Sequence, residues 1–421
     1  MASVNTSQVK LIIFANCFIQ PLVSGGDKRF IELARRWKEK IELSIMTPAV
    51  GLKVCRDVEQ LDTHYQTLPC AWTDRLGIVG TYICRTILAT IKIPKWQNHY
   101  LAYSSSDILP DIIPAFLMKM INKDTRWITS VFHLIPPPAR RPGSWLRNAL
   151  SYYAQRLSLY FIKRWADIVF VTNTDLGEEL VNHFRFSRRK IRMTHMGIER
   201  GLIDSIPPQE KCYEGVFMGR LIPSKGIFDL AEIWKLVVEK SPKTRLAVIG
   251  TGEEVMKDRL KELIRKNSLD NNIELLGFLP KREVIRVLKS ARVFLFPSWE
   301  EGWGISVAEA MACGLPVVAY DLPVYKEIFS SGITKVPLGA TGQFADEVIQ
   351  LLSDKELLVK MGQDALSQSS VYDWDIVAKQ EFETLSTMLR CYTKRTKVGP
   401  FYCHSEQSEE SKGQDSSLRL E

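Results

Sequence analysis

Short apolar runs alternate with helix-patterned segments along most of this chain, and that alternation limits its fold more than any other feature. The runs are Val9–Ala15, Ile41–Met46, Trp127–Phe132, Ile168–Val171, Val216–Met218, Leu246–Ile249, Ile273–Leu276, Val293–Phe296 and Pro316–Ala319. Each has the length and composition of a buried strand. Between the first two, Phe30, Leu33, Ala34 and Trp37 fall at helical spacing, so Asp27 to Lys40 reads as an amphipathic helix. Strands alternating with helices imply βαβ units and parallel sheets, an α/β architecture. A chain of 421 residues exceeds one ordinary core, so two domains are expected. Arg200 to Lys211 holds two prolines and little periodicity and reads as the linker. The expected division is 1–205, 206–375, a helix over 376–393, and a tail from Lys394 to Glu421. That tail is rich in Ser, Glu, Gln and Lys and is expected to be disordered.

Composition excludes several classes. Apolar content of 45% and charged content of 25% are those of a globular protein in water. No run is long enough for a transmembrane helix, and Leu11–Ala15 is too short for a signal peptide. The eight cysteines are scattered without a C-x-x-C pair, which argues against a zinc site or a disulfide framework and fits a reducing cytoplasm. Residues 1–205 carry 28 basic and 17 acidic side chains, a net of +11, whereas the remainder is mildly acidic. A basic half implies a phosphate-rich partner: nucleic acid, a membrane surface or an anionic substrate. No nucleic-acid recognition motif is present. Ala139 to Asp167 interleaves Arg140, Arg141, Arg147, Arg156, Lys163 and Arg164 with aromatics. Such a helix either lies on an anionic membrane or turns its aromatics to the core and its arginines to water, and both readings stay open. Gly77 to Ile93, an apolar stretch interrupted by Arg85, reads as a core helix, with contact to lipid as the lesser alternative.

The segment Pro297 to Tyr320 carries the clearest chemistry. After the strand Val293–Phe296 it places Glu301 and Glu309 around the turn Gly302-Trp303-Gly304 and the helix start Ile305-Ser306. Strand, acidic glycine turn, helix, strand is the layout of a ligand site on a parallel sheet. Ser306-x-x-Glu309 also has the form of a capping box. Upstream, Gly219-Arg220 follows a strand and Lys225-Gly226 opens the next helix, so a phosphate there would meet backbone amides and two cations. Around Gly250 the run Ile249–Gly252 lacks the third glycine of a dinucleotide fingerprint. Glu253-Glu254 would repel a pyrophosphate, which leaves a close turn against a base or ribose. Gly277-Phe278 ends the next strand and can cover a base with apolar groups. In the first half, Ser24-Gly25-Gly26 precedes the first long helix and His133 ends a strand. Asp373-Trp374-Asp375 has the D-x-D form of a metal-dependent sugar transferase but stands just before a helix, so it reads as a cap and no metal is expected.

Glu301, seven intervening residues, Glu309 and then Ala310-Met311-Ala312-Cys313-Gly314-Leu315-Pro316-Val317-Val318 resemble the signature of the retaining glycosyltransferases of family 4. The Gly219-Arg220…Lys225-Gly226 pair, Ile249–Gly252 and Leu276-Gly277-Phe278 stand in that family's order, and the resemblance covers most of residues 9–390. It implies the GT-B fold: two Rossmann-like domains with parallel sheets facing a cleft, and a C-terminal helix crossing back to the first. It implies transfer of a sugar from a UDP- or GDP-sugar to a glycan or lipid-linked acceptor with retention, in envelope polysaccharide or glycolipid synthesis. The expected setting is the cytoplasm or the inner face of a membrane. Glu309 would hold ribose hydroxyls, Glu301 and Gly302–Ser306 the sugar, and Arg220 and Lys225 the leaving diphosphate beside Gly219. Gly25 and Gly26 would face the donor phosphate and acceptor, and His133 the reacting sugar. The family often has His-Asp where this chain has His133-Leu134. A nucleotide-sugar epimerase or phosphorylase, or a non-catalytic sugar-nucleotide binder, are the alternatives.

Overall fold

A computed structural model describes residues 10–18, 24–69, 76–93, 101–140 and 145–397. The tail beyond Lys397 and Arg141 of the basic stretch lie outside them. The first half runs β1 (Lys10–Phe14), α1 (Gly25–Trp37), β2 (Glu42–Pro48), α2 (Ala49–Leu52), β3 (His64–Leu68), α3 (Gly77–Lys92), β4 (Leu101–Ser104), α4 (Leu109–Ile121), β5 (Arg126–Val131), α5 (Trp145–Trp165), β6 (Ile168–Val171), α6 (Thr174–Asn182) and β7 (Ile191–Met193). The second half begins with α7 (Arg200–Asp204), β8 (Tyr213–Met218), α8 (Ile227–Lys240), β9 (Leu246–Ile249), α9 (Glu254–Lys266), β10 (Ile273–Gly277), α10 (Lys281–Lys289) and β11 (Ala291–Phe296). It closes with α11 (Ile305–Ala312), β12 (Val317–Tyr320), α12 (Pro323–Ile328), β13 (Ile333–Val336), α13 (Thr341–Ser353), α14 (Lys355–Ser369) and α15 (Trp374–Lys397).

Two wholly parallel sheets result, in the orders β3-β2-β1-β4-β5-β6-β7 and β10-β9-β8-β11-β12-β13. All nine expected strands are present. Four more lacked an apolar run. Strands β3, β7 and β13 are sheet edges, where half-solvated residues such as His64, Arg192 and Lys335 suffice. Strand β4 is central, but two of its four residues are polar side chains satisfied inside the core. Trp127 Nε1 donates to Ser104 Oγ at 3.0 Å, and Tyr103 lies 2.9 Å from Ser130 Oγ. The linker is not wholly irregular: Arg200–Asp204 forms one helical turn before the chain extends past the two prolines.

In each sheet the strand order reverses at one place. It does so between β1 and β4, where Phe14 pairs with Ser104, and between β8 and β11. Loops leaving the C-terminal ends of strands at such a reversal diverge and leave a crevice. The last helix binds the halves together. Ile198 pairs with Asp373, and Trp374 sits buried against Gly197, where a Cβ would lie 2.3 Å from its ring. Helix α15 then packs on α1: Trp37 Nε1 donates to the Ala378 carbonyl at 2.9 Å, and Arg29 forms a buried ion pair with Glu381. Asp373 caps α15 by accepting from the Asp375 amide at 2.8 Å. The helix continues through Lys397, four residues into the stretch expected to be a tail.

Candidate active site

A cavity of about 810 Å³ opens between the two sheets, and its lining comes from both reversal points. Cys17, Phe18 and Ser24–Asp27 follow β1; Ser105–Ile108 follow β4; Phe132 and His133 follow β5. From the other side come Gly219, Arg220 and Lys225 after β8, Phe296 at the end of β11, and Glu301–Ser306 after it. The cavity thus gathers Gly25, Gly26, His133, Gly219, Arg220, Lys225, Glu301, Gly302, Trp303, Gly304, Ile305 and Ser306.

The second-half wall is two interlocked turns. At Gly226, φ is +68° and a Cβ would lie 1.8 Å from the Pro297 carbonyl oxygen. The Trp299 amide donates to the Ser224 carbonyl at 2.9 Å. This holds Lys225 against Glu301, with which it forms a half-buried ion pair, and Ser298 Oγ lies 3.1 Å from Glu301 Oε1. Arg220 is exposed to the cleft and makes no ion pair among the described residues. Helix α11 starts at Gly304, whose φ of +104° suits glycine, and no side chain caps it. The Ser306–Glu309 capping box is therefore corrected: Ser306 lies inside the first turn, and its amide and those beside it remain available at the positive end of the helix dipole.

Glu309 faces elsewhere, because it stands a turn further on. It pairs with Lys281 at the start of α10, a residue the sequence reading did not single out. With Gly250, Gly277 and Phe278 it lies outside the cavity lining. These residues form a rim continuing from the cavity. A Cβ on Gly250, at φ +141°, would sit 1.8 Å from the Gly219 carbonyl oxygen, and the Gly250 amide donates to the Gly277 carbonyl at 2.9 Å. Phe278 projects into solvent, and Lys281 follows three residues later.

The first-half wall is acidic. Ser24 caps α1 and Asp27 completes a capping box: the Asp27 amide is 3.2 Å from Ser24 Oγ, and Asp27 Oδ2 is 2.9 Å from the Ser24 amide. Burial raises the Asp27 carboxyl, with its Ser24 contacts opposing. Asp107 accepts from Gln155 Nε2 at 2.7 Å, and the same nitrogen donates to the His133 carbonyl at 2.9 Å, so Gln155 fixes both loops. Burial raises Asp107 too, while Gln155 and His133 pull it back. Beneath them Asp111 accepts from the Asn16 amide and the Ser105 and Ser106 hydroxyls; burial pushes it up to about 7 against those contacts. None of these aspartates stood out in the sequence, because each follows no motif and only the fold brings them to one wall. Gly25 closes the gap, with a Cβ position 3.3 Å from Ile305 Cδ1 on the opposite wall. Among the described residues no cluster of His, Cys, Asp and Glu could hold a metal ion.

Residues 203–368 match the family described as glycosyl transferases group 1. In that segment the chain is similar to the glycosyl transferases group 1 family. A glycosyltransferase of Methanocaldococcus jannaschii is 31% identical over 266 residues, covering 60% of this chain and 61% of the relative. A phosphatidyl-myo-inositol mannosyltransferase of Mycobacterium leprae is 31% identical over 182 residues, 41% of this chain and 46% of that one. The chain thus spans at most 61% of the length of these curated relatives. Among solved structures, Anabaena HepE with UDP and glucose superposes with a TM-score of 0.70 at 16% identity, over 90% of this chain and 99% of that one. Sucrose-phosphate synthase of Thermosynechococcus elongatus gives 0.71 at 15%, over 91% and 100%. The two facing parallel sheets are those of the GT-B fold.

Proposed function

We propose that the protein is a retaining, metal-independent glycosyltransferase of family 4. It would move a sugar from a nucleoside-diphosphate sugar, UDP- or GDP-linked, to a hydroxyl of a glycan or lipid-linked acceptor. The observation that carries this is the second-half wall: Arg220 without a carboxylate partner among the described residues, Lys225 beside it, and the uncapped start of α11, all on one cavity. Arg220, the helix start and Lys225, which is shared with Glu301, leave this wall net positive, which suits a leaving diphosphate. In the reaction the bond from the anomeric carbon to the phosphate oxygen breaks and a bond to the acceptor oxygen forms on the same face. The acceptor's proton passes to the departing phosphate. Fixed cations lower this barrier because negative charge grows on the diphosphate as the bond breaks.

The donor's sugar would lie between Glu301, Gly302–Ser306 and His133, with Gly25 and Gly26 facing its phosphate. Its nucleoside would run over Gly219 and Gly250 to the Gly277–Phe278 rim, where Glu309 binds ribose hydroxyls after exchanging Lys281 for them. HepE's UDP and glucose support the donor class, and the curated relatives support sugar transfer. Arg220 and Lys225 would replace a metal at the diphosphate, so a chelator should leave turnover unchanged. The test is donor consumption with and without a glycan or glycolipid acceptor. Faster consumption with acceptor is expected. Equal rates would favour an epimerase, and phosphate-dependent consumption a phosphorylase. Donor binding without turnover would favour a binding protein.

A further inference from the structure

Helix α3 turns the wrong face outward for a protein surrounded by water. Its exposed positions are Gly77, Ile78, Val79, Ile83, Ile87 and Ile91, with Leu76 just before it. Val79, Ile83, Ile87 and Ile91 repeat every fourth residue, so they form one stripe, and Ile91 is 67% exposed. The helix's cation is instead inside: Arg85 is buried and donates to the Asn16 carbonyl at 3.0 Å. The core-helix expectation for Gly77–Ile93 therefore gives way to its lesser alternative: the helix seals the first sheet with few residues such as Ala89 and shows its isoleucines outward.

Helix α5 lies on the same face of the sheet, with α4 packed between them. Its exposed positions are Trp145, Leu146, Arg147, Leu150, Tyr153, Leu157, Tyr160, Lys163 and Arg164. That is an apolar and aromatic ridge flanked at both ends by cations. Across α3, α4 and α5 the single carboxylate is Asp111, which is buried. Exposed apolar stripes of this extent mark an interaction surface. The absence of exposed acid, the aromatic ridge and the terminal cations match an anionic lipid headgroup layer over apolar chains. A second copy of this chain fits worse, since an isologous contact would bring Arg147, Lys163 and Arg164 of the two copies together.

We propose that the outward faces of α3 and α5 dock on an anionic bilayer. Ile78 and Tyr82, at the start of α3, also line the cavity, so the lipid-facing stripe leads to the cleft mouth. On the transferase reading above, the acceptor is then a lipid-anchored glycan that enters along α3. Docking itself does not depend on that reading.

The experiment is co-sedimentation of the full chain with vesicles of phosphatidylglycerol and phosphatidylcholine, or of phosphatidylcholine alone, with Ile83→Asp/Ile87→Asp as the variant. Neither residue lines the cavity. The wild type should bind the anionic vesicles, less at high salt. The variant should bind roughly tenfold more weakly or worse, because two apolar anchors are lost and two negative charges added. Its melting temperature and its rate of donor consumption without vesicles should match the wild type. No wild-type binding at low salt, or equal binding by the variant, would overturn the proposal. So would a wild-type dimer that the substitutions dissolve without any vesicle binding. Vesicle binding without sugar transfer would leave the docking surface intact and refute the transferase reading instead.

Discussion

The two walls of the cleft are built alike and charged oppositely. Each offers the start of a helix after a glycine turn at the reversal of a parallel sheet. In the first half, Ser24 and Asp27 occupy that helix start, and Asp107 and Asp111 stand behind it. In the second half no side chain caps α11, and Arg220 and Lys225 flank it. The same element thus serves two ends. A helix start already paired with a carboxylate has little left for an anion, whereas an uncapped one beside two cations binds a diphosphate. The glycine turn at Gly25-Gly26 then acts mainly by close approach: a Cβ added at Gly25 would lie 3.3 Å from Ile305 Cδ1.

The largest effect that can break this contrast is expected at Lys225. Lys225→Ala should lower turnover roughly 100- to 1,000-fold, the usual loss when one charge-stabilising group is removed. Unchanged steady-state kinetics would deny it the phosphate. Arg220→Ala should cost roughly as much in kcat/KM. Arg220→Lys should recover only part of it, because an ammonium cannot fork onto two phosphate oxygens; full recovery would reduce Arg220 to a point charge.

Asp111 sharpens the first-half side. A carboxyl whose folded value is raised holds its proton more tightly in the folded chain. Its contribution is therefore complete below about pH 4 and is lost as pH rises toward 7. Urea unfolding of the wild type should show stability falling over that window, by about 3 to 4 kcal/mol at about 1.36 kcal/mol per pKa unit. Asp111→Asn should flatten the slope, and an unchanged slope would assign it to another group. The smallest effect is expected at Asp27. Asp27→Ala should cost about 1 kcal/mol of stability through the lost cap and leave the affinity for a nucleoside diphosphate nearly unchanged.

The sequence revealed the frame and the cationic wall because both are local. Apolar runs mark buried strands, and Arg220, Lys225 and Glu301 sit at strand ends that the pattern itself defines. Where the reading failed, the cause was non-local. Glu309 has the spacing of a cap, but Gly304 starts the helix earlier, so its carboxylate reaches Lys281 instead. Asp27, Asp107 and Asp111 are separated by up to 84 positions in the numbering and meet only through the β1–β4 pairing. Helix α3 looks like core by composition, and only the placement of Arg85 inside it reveals the reversal.

The contrast between the walls is tested most directly by calorimetric titration of UDP, GDP and ADP into the wild type, Arg220→Ala/Lys225→Ala and Asp27→Ala. The base that binds the wild type should lose at least roughly 30-fold in affinity to the double variant, the scale of two charged contacts. Asp27→Ala should bind it as the wild type does. A double variant that binds normally, or an Asp27→Ala protein that loses more affinity than the double variant, would place the diphosphate on the first wall and contradict the account.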